Sequence, residues 1–167
     1  MTRTERAKDY VDSLIGPGAI AFTTMRAGVD LGVQRPREWG QDVPGAVVRL
    51  GSTYAEYAIT ETLEHGFALG LHEDNRYFWS GKHGIAARLA YAASSTVLAR
   101  HDDGSRSLSF SAIGGAASGA LLARTWQPYS TTSLPDGAVS FGITMGIRLG
   151  MNIAREFSPR VMGRLLR

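Results

Sequence analysis

The chain has 167 residues, a length that suits one ordinary domain with a core of its own. Gly and Ala together account for 41 residues, whereas Leu, Ile, Val and Phe account for only 38, so bulky apolar side chains are few for a water-soluble core. The net charge of +3 is small and the arginines are scattered, which argues against a nucleic-acid binder, and the absence of cysteine excludes disulfides and thiolate metal sites.

The first predicted element is a polar helix over residues 1–15, which the triplet Gly16-Pro17-Gly18 ends. A signal peptide has a short basic segment followed by an apolar segment. The start of this chain is charged and has no such apolar segment, so it does not fit that pattern. A second helical segment, rich in small residues, follows over 19–33 and ends before a proline. The chain therefore begins with two predicted helices of different character.

Longer helical patterns occupy the rest of the chain. Apolar residues recur at three- and four-residue steps from Val47 to Leu71, after a proline that suits a first helical turn. No segment alternates convincingly as a half-buried strand does, although residues 105–111 alternate briefly before helical spacing begins. The sequence thus predicts one all-α domain over residues 1–167 with about five helices, the later ones at 44–71, 84–99, 107–125 and 137–157, and with a basic tail at 160–167.

Small residues spaced four apart form the sharpest pattern in the sequence. Residues four apart lie on one face of a helix, and a face of Gly and Ala lets another helix backbone approach closely. Because a Gly inside a helix costs about 1 kcal/mol relative to Ala in water, we expect tight packing to compensate for these residues. The candidate helix-packing residues are Gly28, Gly32, Gly66, Gly70, Gly115, Gly119, Gly142, Gly146 and Gly150.

The small residues spaced four apart favour association with a membrane, because close packing rather than the exclusion of water drives helix association in lipid. Hydropathy alone marks no helix as a lipid-facing span, since Arg88 and Arg148 interrupt two of the candidates. Two arrangements stay open: the helices lie at the membrane interface, or they pack against one another or against copies of the chain. The arginines of the tail fit either a solvated helix end or contact with anionic lipid.

A dense group of polar residues closes the predicted 44–71 helix. Glu61 and His65 are four residues apart and His72 follows close to two turns later, so the three could line one stripe. Imidazole and carboxylate groups ligate metals or move protons, and the alternative is that they cap the helix and pair with Arg76. The candidate polar site comprises Glu61, His65, His72, Glu73, Asp74 and Arg76, and we assign no catalytic residue, metal ligand or cofactor.

Several motifs resemble a family of uncharacterised bacterial proteins. They are EWGQ at 38–41, LHED at 71–74 with RYF at 76–78, DDG at 102–104, WQP at 126–128 and REF at 155–157 with Pro159. Members of this family are small, glycine-rich, predicted-helical and envelope-associated, and the likeness covers residues 14–160. The resemblance implies a protein of the bacterial envelope and brings no activity. The family favours Pro where this chain has Asn75, and its members tend to carry an export leader.

The sequence therefore predicts a membrane-associated structural or interaction protein, such as a scaffold, an accessory subunit or an assembly element. We expect a homo-oligomer or a subunit of a larger assembly, with membrane lipid as a further partner and no nucleic acid. Two alternatives stay open. One is a metal-binding protein or enzyme that uses the His and Glu residues at 61–74, and the other is a carrier of lipid or another hydrophobic ligand.

Overall fold

The structure is a computed structural model that describes residues 3–101 and 104–158. Helices hold most of these residues, so the predicted all-α class is confirmed. They are α1 (Arg3–Ile15), α2 (Pro17–Gly32), α3 (Val43–Leu71), α4 (Ile85–Ser94), α5 (Phe110–Leu122) and α6 (Leu134–Phe157). The predicted basic tail at 160–167, together with Asp102, Asp103 and Pro159 of the family motifs, lies outside the described residues.

A small sheet corrects two of the predicted helix bounds. Its antiparallel strands are β1 (Glu73–Asp74), β2 (Leu98–His101) and β3 (Arg106–Leu108), in that order. The helix predicted to reach 99 ends at Ser94, and the helix predicted from 107 begins at Phe110. Ser109 is the physical reason at the second bound, because its hydroxyl accepts a hydrogen bond from the Ala112 N–H at 3.0 Å and caps α5 there. The residues before the cap are therefore free to pair with β2.

The central helix, α3, packs most extensively against α5. Two glycines of α5 bring the helices together, because a Cβ atom built on Gly115 would lie 3.0 Å from the backbone nitrogen of Glu64, and one on Gly119 would lie 3.2 Å from Thr60 Cα. Real Cβ atoms rarely approach other atoms so closely. Smallness at these two positions is thus required by the contact between α5 and α3.

The other predicted helix-packing glycines do not approach another element within the described chain. A Cβ atom on any of them would meet no atom of the described residues within 4 Å, apart from its own helix backbone and chain neighbours. These open positions are Gly28 and Gly32 on α2, Gly66 and Gly70 on α3, and Gly142, Gly146 and Gly150 on α6. Their smallness has no role in packing between the described helices.

The apolar core is small and lies where α2, α3 and α6 meet. Phe22 and Tyr57 stack with ring centroids 4.9 Å apart, and Ala19, Ile147 and Met151 complete the buried cluster. Most other buried apolar residues are alanines. Among the described helices, none combines the length and the apolar character needed to span a bilayer.

The faces of α3 are inverted relative to an ordinary surface helix. Its buried face carries Arg49, Thr53, Glu56, Thr60 and Glu64, at steps of three and four residues. Its outward face carries Val43, Val47, Leu50 and Tyr54, which are 77%, 62%, 42% and 42% exposed. The polar groups of this helix therefore point into the molecule, while much of its apolar surface faces outward.

A Gly→Ala substitution should have opposite effects on stability at glycines packed against α3 and at glycines that face open space. We expect Gly115→Ala to lower the free energy of unfolding by about 1–3 kcal/mol, because the added methyl group overlaps the α3 backbone. Gly146→Ala is the matched control and should raise it by up to about 1 kcal/mol, because Ala has the higher helix propensity and the space is open. Urea denaturation of dilute protein measures both, and equal effects would contradict the described contact.

Candidate functional site

A buried ion-pair cluster joins the middle of α6 to α3. Arg148 Nη2 donates a hydrogen bond to Glu61 Oε1 at 3.0 Å and lies 2.5 Å from Glu64 Oε2. Glu61 and Glu64 are three residues apart on one face of α3, so a single guanidinium reaches both. Both carboxylates are at least nine-tenths buried. This arrangement holds two negative charges against one positive charge inside the molecule.

The surroundings of this cluster shift its protonation equilibria. Burial and the neighbouring Glu64 carboxylate raise the pKa of Glu61, whereas Arg148 and His65 oppose that rise. Burial alone would lower the pKa of Arg148, but Glu64 and Glu61 raise it above its usual value. Arg148 therefore stays charged, and the carboxylate pair favours a further positive charge or a proton nearby.

A hydrogen-bond chain extends the cluster to the start of α5. Asn75 Nδ2 donates to Glu64 Oε1 at 3.0 Å and to Ser111 Oγ at 2.6 Å. The hydroxyl of Ser109 donates to Asn75 Oδ1 at 2.7 Å. Asn75 therefore links the ion pairs of α3 to the residues that begin α5, by satisfying polar groups that would otherwise be buried without partners.

Glu73 occupies the N-terminal end of α5. Its side chain is 1% exposed, and its carboxylate accepts hydrogen bonds from the N–H of Phe110 at 3.2 Å and of Ser111 at 3.0 Å. The hydroxyls of Ser109 and Ser111 contact the same carboxylate. A negative charge at a helix N-terminus satisfies free N–H groups and complements the helix dipole. Glu73 thus serves to fix β1 against α5.

The other side chains of the predicted polar site make contacts separate from those of the Glu73 carboxylate. His65 Nδ1 is 2.9 Å from the Glu61 carbonyl oxygen, and its Nε2 is 3.5 Å from Asp9 Oδ2. Burial alone would lower the pKa of His65, but the interaction with Asp9 raises it above its usual value. His72 is exposed and ends α3 in a left-handed conformation, with φ of 56°. Asp74 and Arg76 pair with each other at 2.7 Å.

The structure therefore brings Glu61 and His65 together and leaves His72 on the surface. Within the described ranges, no group of three His, Asp or Glu side chains is arranged to hold a metal ion. The sequence alone did not single out Glu64, Asn75 or Arg148 as partners of Glu61. The one available signal was a charged residue, Arg148, in the middle of a small-residue helix, where a charge needs a partner if the helix is buried.

A second buried charge cluster links Arg26 of α2 and Glu56 of α3 to Ser140 and Thr144 near the start of α6. Arg26 Nη2 donates to Ser140 Oγ at 2.7 Å, and that hydroxyl donates to Glu56 Oε1 at 2.6 Å. Arg26 also donates to Thr144 Oγ1 at 2.9 Å, and Arg124 Nη2 lies 3.8 Å from Glu56 Oε2. This cluster holds α2, α3 and α6 in register through polar contacts.

A third cluster surrounds Glu156 near the end of α6. Its fully buried carboxylate accepts hydrogen bonds from the Tyr77 hydroxyl at 2.6 Å, the Ser80 N–H at 3.1 Å and Arg88 Nε at 3.1 Å. Burial alone would raise the pKa of Glu156, but Ser80, Tyr77 and Arg88 hold it below its usual value. The cluster ties the loop before α4 to the end of α6.

A cavity of about 220 Å³ opens beside the first cluster, between α1, α2, α3 and α6. Charged side chains from α3 and α6 line it, together with amide groups and part of the apolar core. The lining relevant to chemistry consists of Glu61, Glu64, Asn75, Arg148, Asn152 and Arg155. Because it brings charged and amide side chains together around enclosed space, this cavity is a candidate ligand site.

The Glu156 cluster predicts a pH-dependent loss of stability. Because the folded-state pKa is lowered, the stabilisation is present above the unfolded value near 4.5 and is lost as pH falls through the folded pKa. We expect Glu156→Gln to lower the free energy of unfolding at pH 7 by about 2 kcal/mol or more, since Arg88 loses its ionic partner. The difference from the unsubstituted protein should shrink as pH falls below 4.5.

Urea denaturation between pH 3 and pH 7 measures this effect. Glu38→Gln provides the control, because Glu38 is an exposed carboxylate with its own hydrogen bonds from Ser130. It should change stability less than Glu156→Gln at pH 7. A Glu156→Gln protein whose deficit is the same at pH 3 and pH 7 would contradict the role given to the charged carboxylate.

Comparison with known proteins identifies no relative of this chain. No family model matches the sequence, and no curated protein and no solved structure is significantly similar to the chain.

Proposed function

We propose that this chain is a membrane-associated structural or interaction protein of the bacterial envelope, which acts as a scaffold, accessory subunit or assembly element. The observation that carries the proposal is the inverted polarity of α3, together with the outward stripe of small residues on α6. Buried charges face the interior, while apolar side chains and open glycines face outward. Large exposed apolar patches on a protein mark sites of contact with other proteins or with membranes.

The outward face of α3 is the first such surface. Val43, Val47, Leu50 and Tyr54 follow one another along it at steps of three and four residues, and each is at least 42% exposed. Exposing apolar area of this kind to water is unfavourable. Covering it with a partner or a lipid interface is therefore favourable. Covering this face would stabilise the protein without any change in its interior.

The outward stripe of α6 is the second surface. Ala138, Gly142, Gly146 and Gly150 are spaced four apart and all are exposed. Because Gly and Ala project little or no side chain, this stripe allows the backbone of a neighbouring helix to approach closely, as in helix pairs that pack through small residues. A second copy of this chain supplies the same stripe, so a symmetric pair of α6 helices is the simplest assembly.

Association with the membrane is proposed from the same outward faces. Elsewhere on the surface, Trp79 is 60% exposed and Tyr129 is 92% exposed, and such aromatic residues favour the boundary between water and lipid. The resemblance to envelope-associated bacterial proteins, carried by the motifs at 38–41 and 71–78, supports the same location. The role of the chain is then to present surfaces, and the buried charges maintain the shape that presents them.

A bulky residue in the α6 stripe tests the assembly. We expect the unsubstituted protein to form an oligomer and Gly146→Leu to be monomeric with an unchanged helical circular dichroism spectrum, because the added side chain enters open space. Ala87→Leu is the matched control, since it adds comparable bulk at an exposed position of α4, outside the stripe. Size-exclusion chromatography with light scattering measures the mass.

Flotation with vesicles of phosphatidylcholine and phosphatidylglycerol tests the membrane part of the proposal. The unsubstituted protein should float with the vesicles, and Val47→Asp should float less, because it places a charge on the outward face of α3. A monomeric unsubstituted protein that stays in the aqueous fraction would overturn the proposed function.

A further inference from the structure

The cavity beside the α3–α6 ion pairs is large enough for a small organic molecule. Its volume of about 220 Å³ equals that of roughly seven water molecules in the liquid. It is partly open to solvent, and residues of α1, α2, α3, α5 and α6 line it. A scaffold needs no such cavity, so its lining is informative independently of the proposed function.

Arg155 is the unusual member of that lining. Its side chain is partly buried on α6, yet it forms no hydrogen bond or ion pair with any residue of the described chain. Every other arginine of the buried clusters has a carboxylate or carbonyl partner, as Arg26, Arg88 and Arg148 show. A guanidinium removed from bulk water without a partner is costly, and an acidic group of a ligand would satisfy it.

The opposite charge is in excess elsewhere in the same cavity. Glu61 and Glu64 share the hydrogen-bonding guanidinium of Arg148, whereas the other cations near Glu61 are more loosely placed: His65 Nδ1 lies 3.9 Å from Glu61 Oε2, and Arg155 interacts with Glu61 without a hydrogen bond. Asp9, which interacts with His65, and the exposed Asp12 also line the cavity and add negative charge. Burial together with the repulsion from Glu64 raises the pKa of Glu61, which is consistent with a carboxylate that lacks a full counterion.

The unpaired guanidinium and the carboxylate pair together indicate which charges a bound molecule would carry. The charges that α3 and α6 contribute to the lining sum to zero, because two carboxylates of α3 face two guanidiniums of α6. Arg155 nevertheless has no hydrogen-bond partner in the described chain, and both carboxylates share the hydrogen-bonding guanidinium of Arg148. We propose that the cavity binds a small zwitterion of amino-acid size, whose carboxylate pairs with Arg155 and whose ammonium group lies against Glu61 and Glu64.

A forked guanidinium suits this role, because it donates two parallel hydrogen bonds to a carboxylate. The Asn152 amide also lines the cavity, and because it donates only one hydrogen bond within the described residues, to Thr96, it offers a further polar contact to a bound molecule. A molecule that carries only one of the two charges would leave the other protein group without its partner. The site should therefore distinguish zwitterions from simple anions and simple amines.

Thermal unfolding in the presence of defined solutes tests the proposal. Each of the twenty common L-amino acids is added at 10 mM to the full chain, with propionate and propylamine as singly charged probes. We expect at least one amino acid to raise Tm by about 2 °C or more, since a ligand that binds only the folded state stabilises it. Neither singly charged probe should raise Tm comparably.

Two variants connect the shift to the cavity. Arg155→Met should remove the response to the amino acid while leaving the fold intact, because Arg155 makes no polar contact within the described chain. Arg155→Lys is the second variant and should weaken the response, since Lys keeps the charge and loses the fork. Arg76→Met is the control, because Arg76 is exposed and pairs with Asp74 outside the cavity.

Three results would overturn the proposal. One is the absence of a Tm rise with all twenty amino acids, and another is an equal rise with propionate or propylamine. The third is a response to the amino acid that persists undiminished in Arg155→Met. Because these results concern only the cavity, they are independent of oligomer formation and vesicle flotation, which test the proposed function.

Discussion

The sharing of Arg148 between Glu61 and Glu64 is the constraint on which the rest of the structure depends. A buried carboxylate pair without a cation is strongly unfavourable, so α6, which packs on α5, α4 and α2, must lie where Arg148 can reach both groups of α3. The contact of Arg26 with Ser140 and Glu56 fixes the same two helices further along. Together they set the register of α3 and α6, a task that bulky apolar side chains perform in ordinary helical domains.

This way of fixing the helices explains the unusual distribution of apolar residues. Because charges occupy much of the buried face of α3, the apolar cluster is confined to the junction of α2, α3 and α6. The remaining large apolar side chains lie outside, where they are available to a partner or a lipid interface. Small residues then have two separate uses: Gly115 and Gly119 bring α5 against α3, while Gly142, Gly146 and Gly150 keep an outward stripe bare.

The helical class could be predicted from the sequence because the spacing of apolar residues is local. The burial of each face could not, because periodicity shows that Val47 and Leu50 share a face and not whether that face meets water. The strands are missed because β1 has two residues and its pairing depends on distant segments. Glu61 and His65 could be found from their spacing, whereas Arg155 could not, because its significance arises from a cavity that exists only after α1, α2, α3 and α6 have packed.

A double-mutant cycle between Arg148→Met and Glu64→Gln most directly tests the claim that shared buried charges organise the fold. Urea denaturation of the unsubstituted protein, both single variants and the double variant gives the coupling free energy. The account predicts that each single variant is destabilised and that the two losses are not additive, with a coupling of about 1–3 kcal/mol. Additivity within about 0.3 kcal/mol would contradict it, because the two side chains would then contribute independently of their contact.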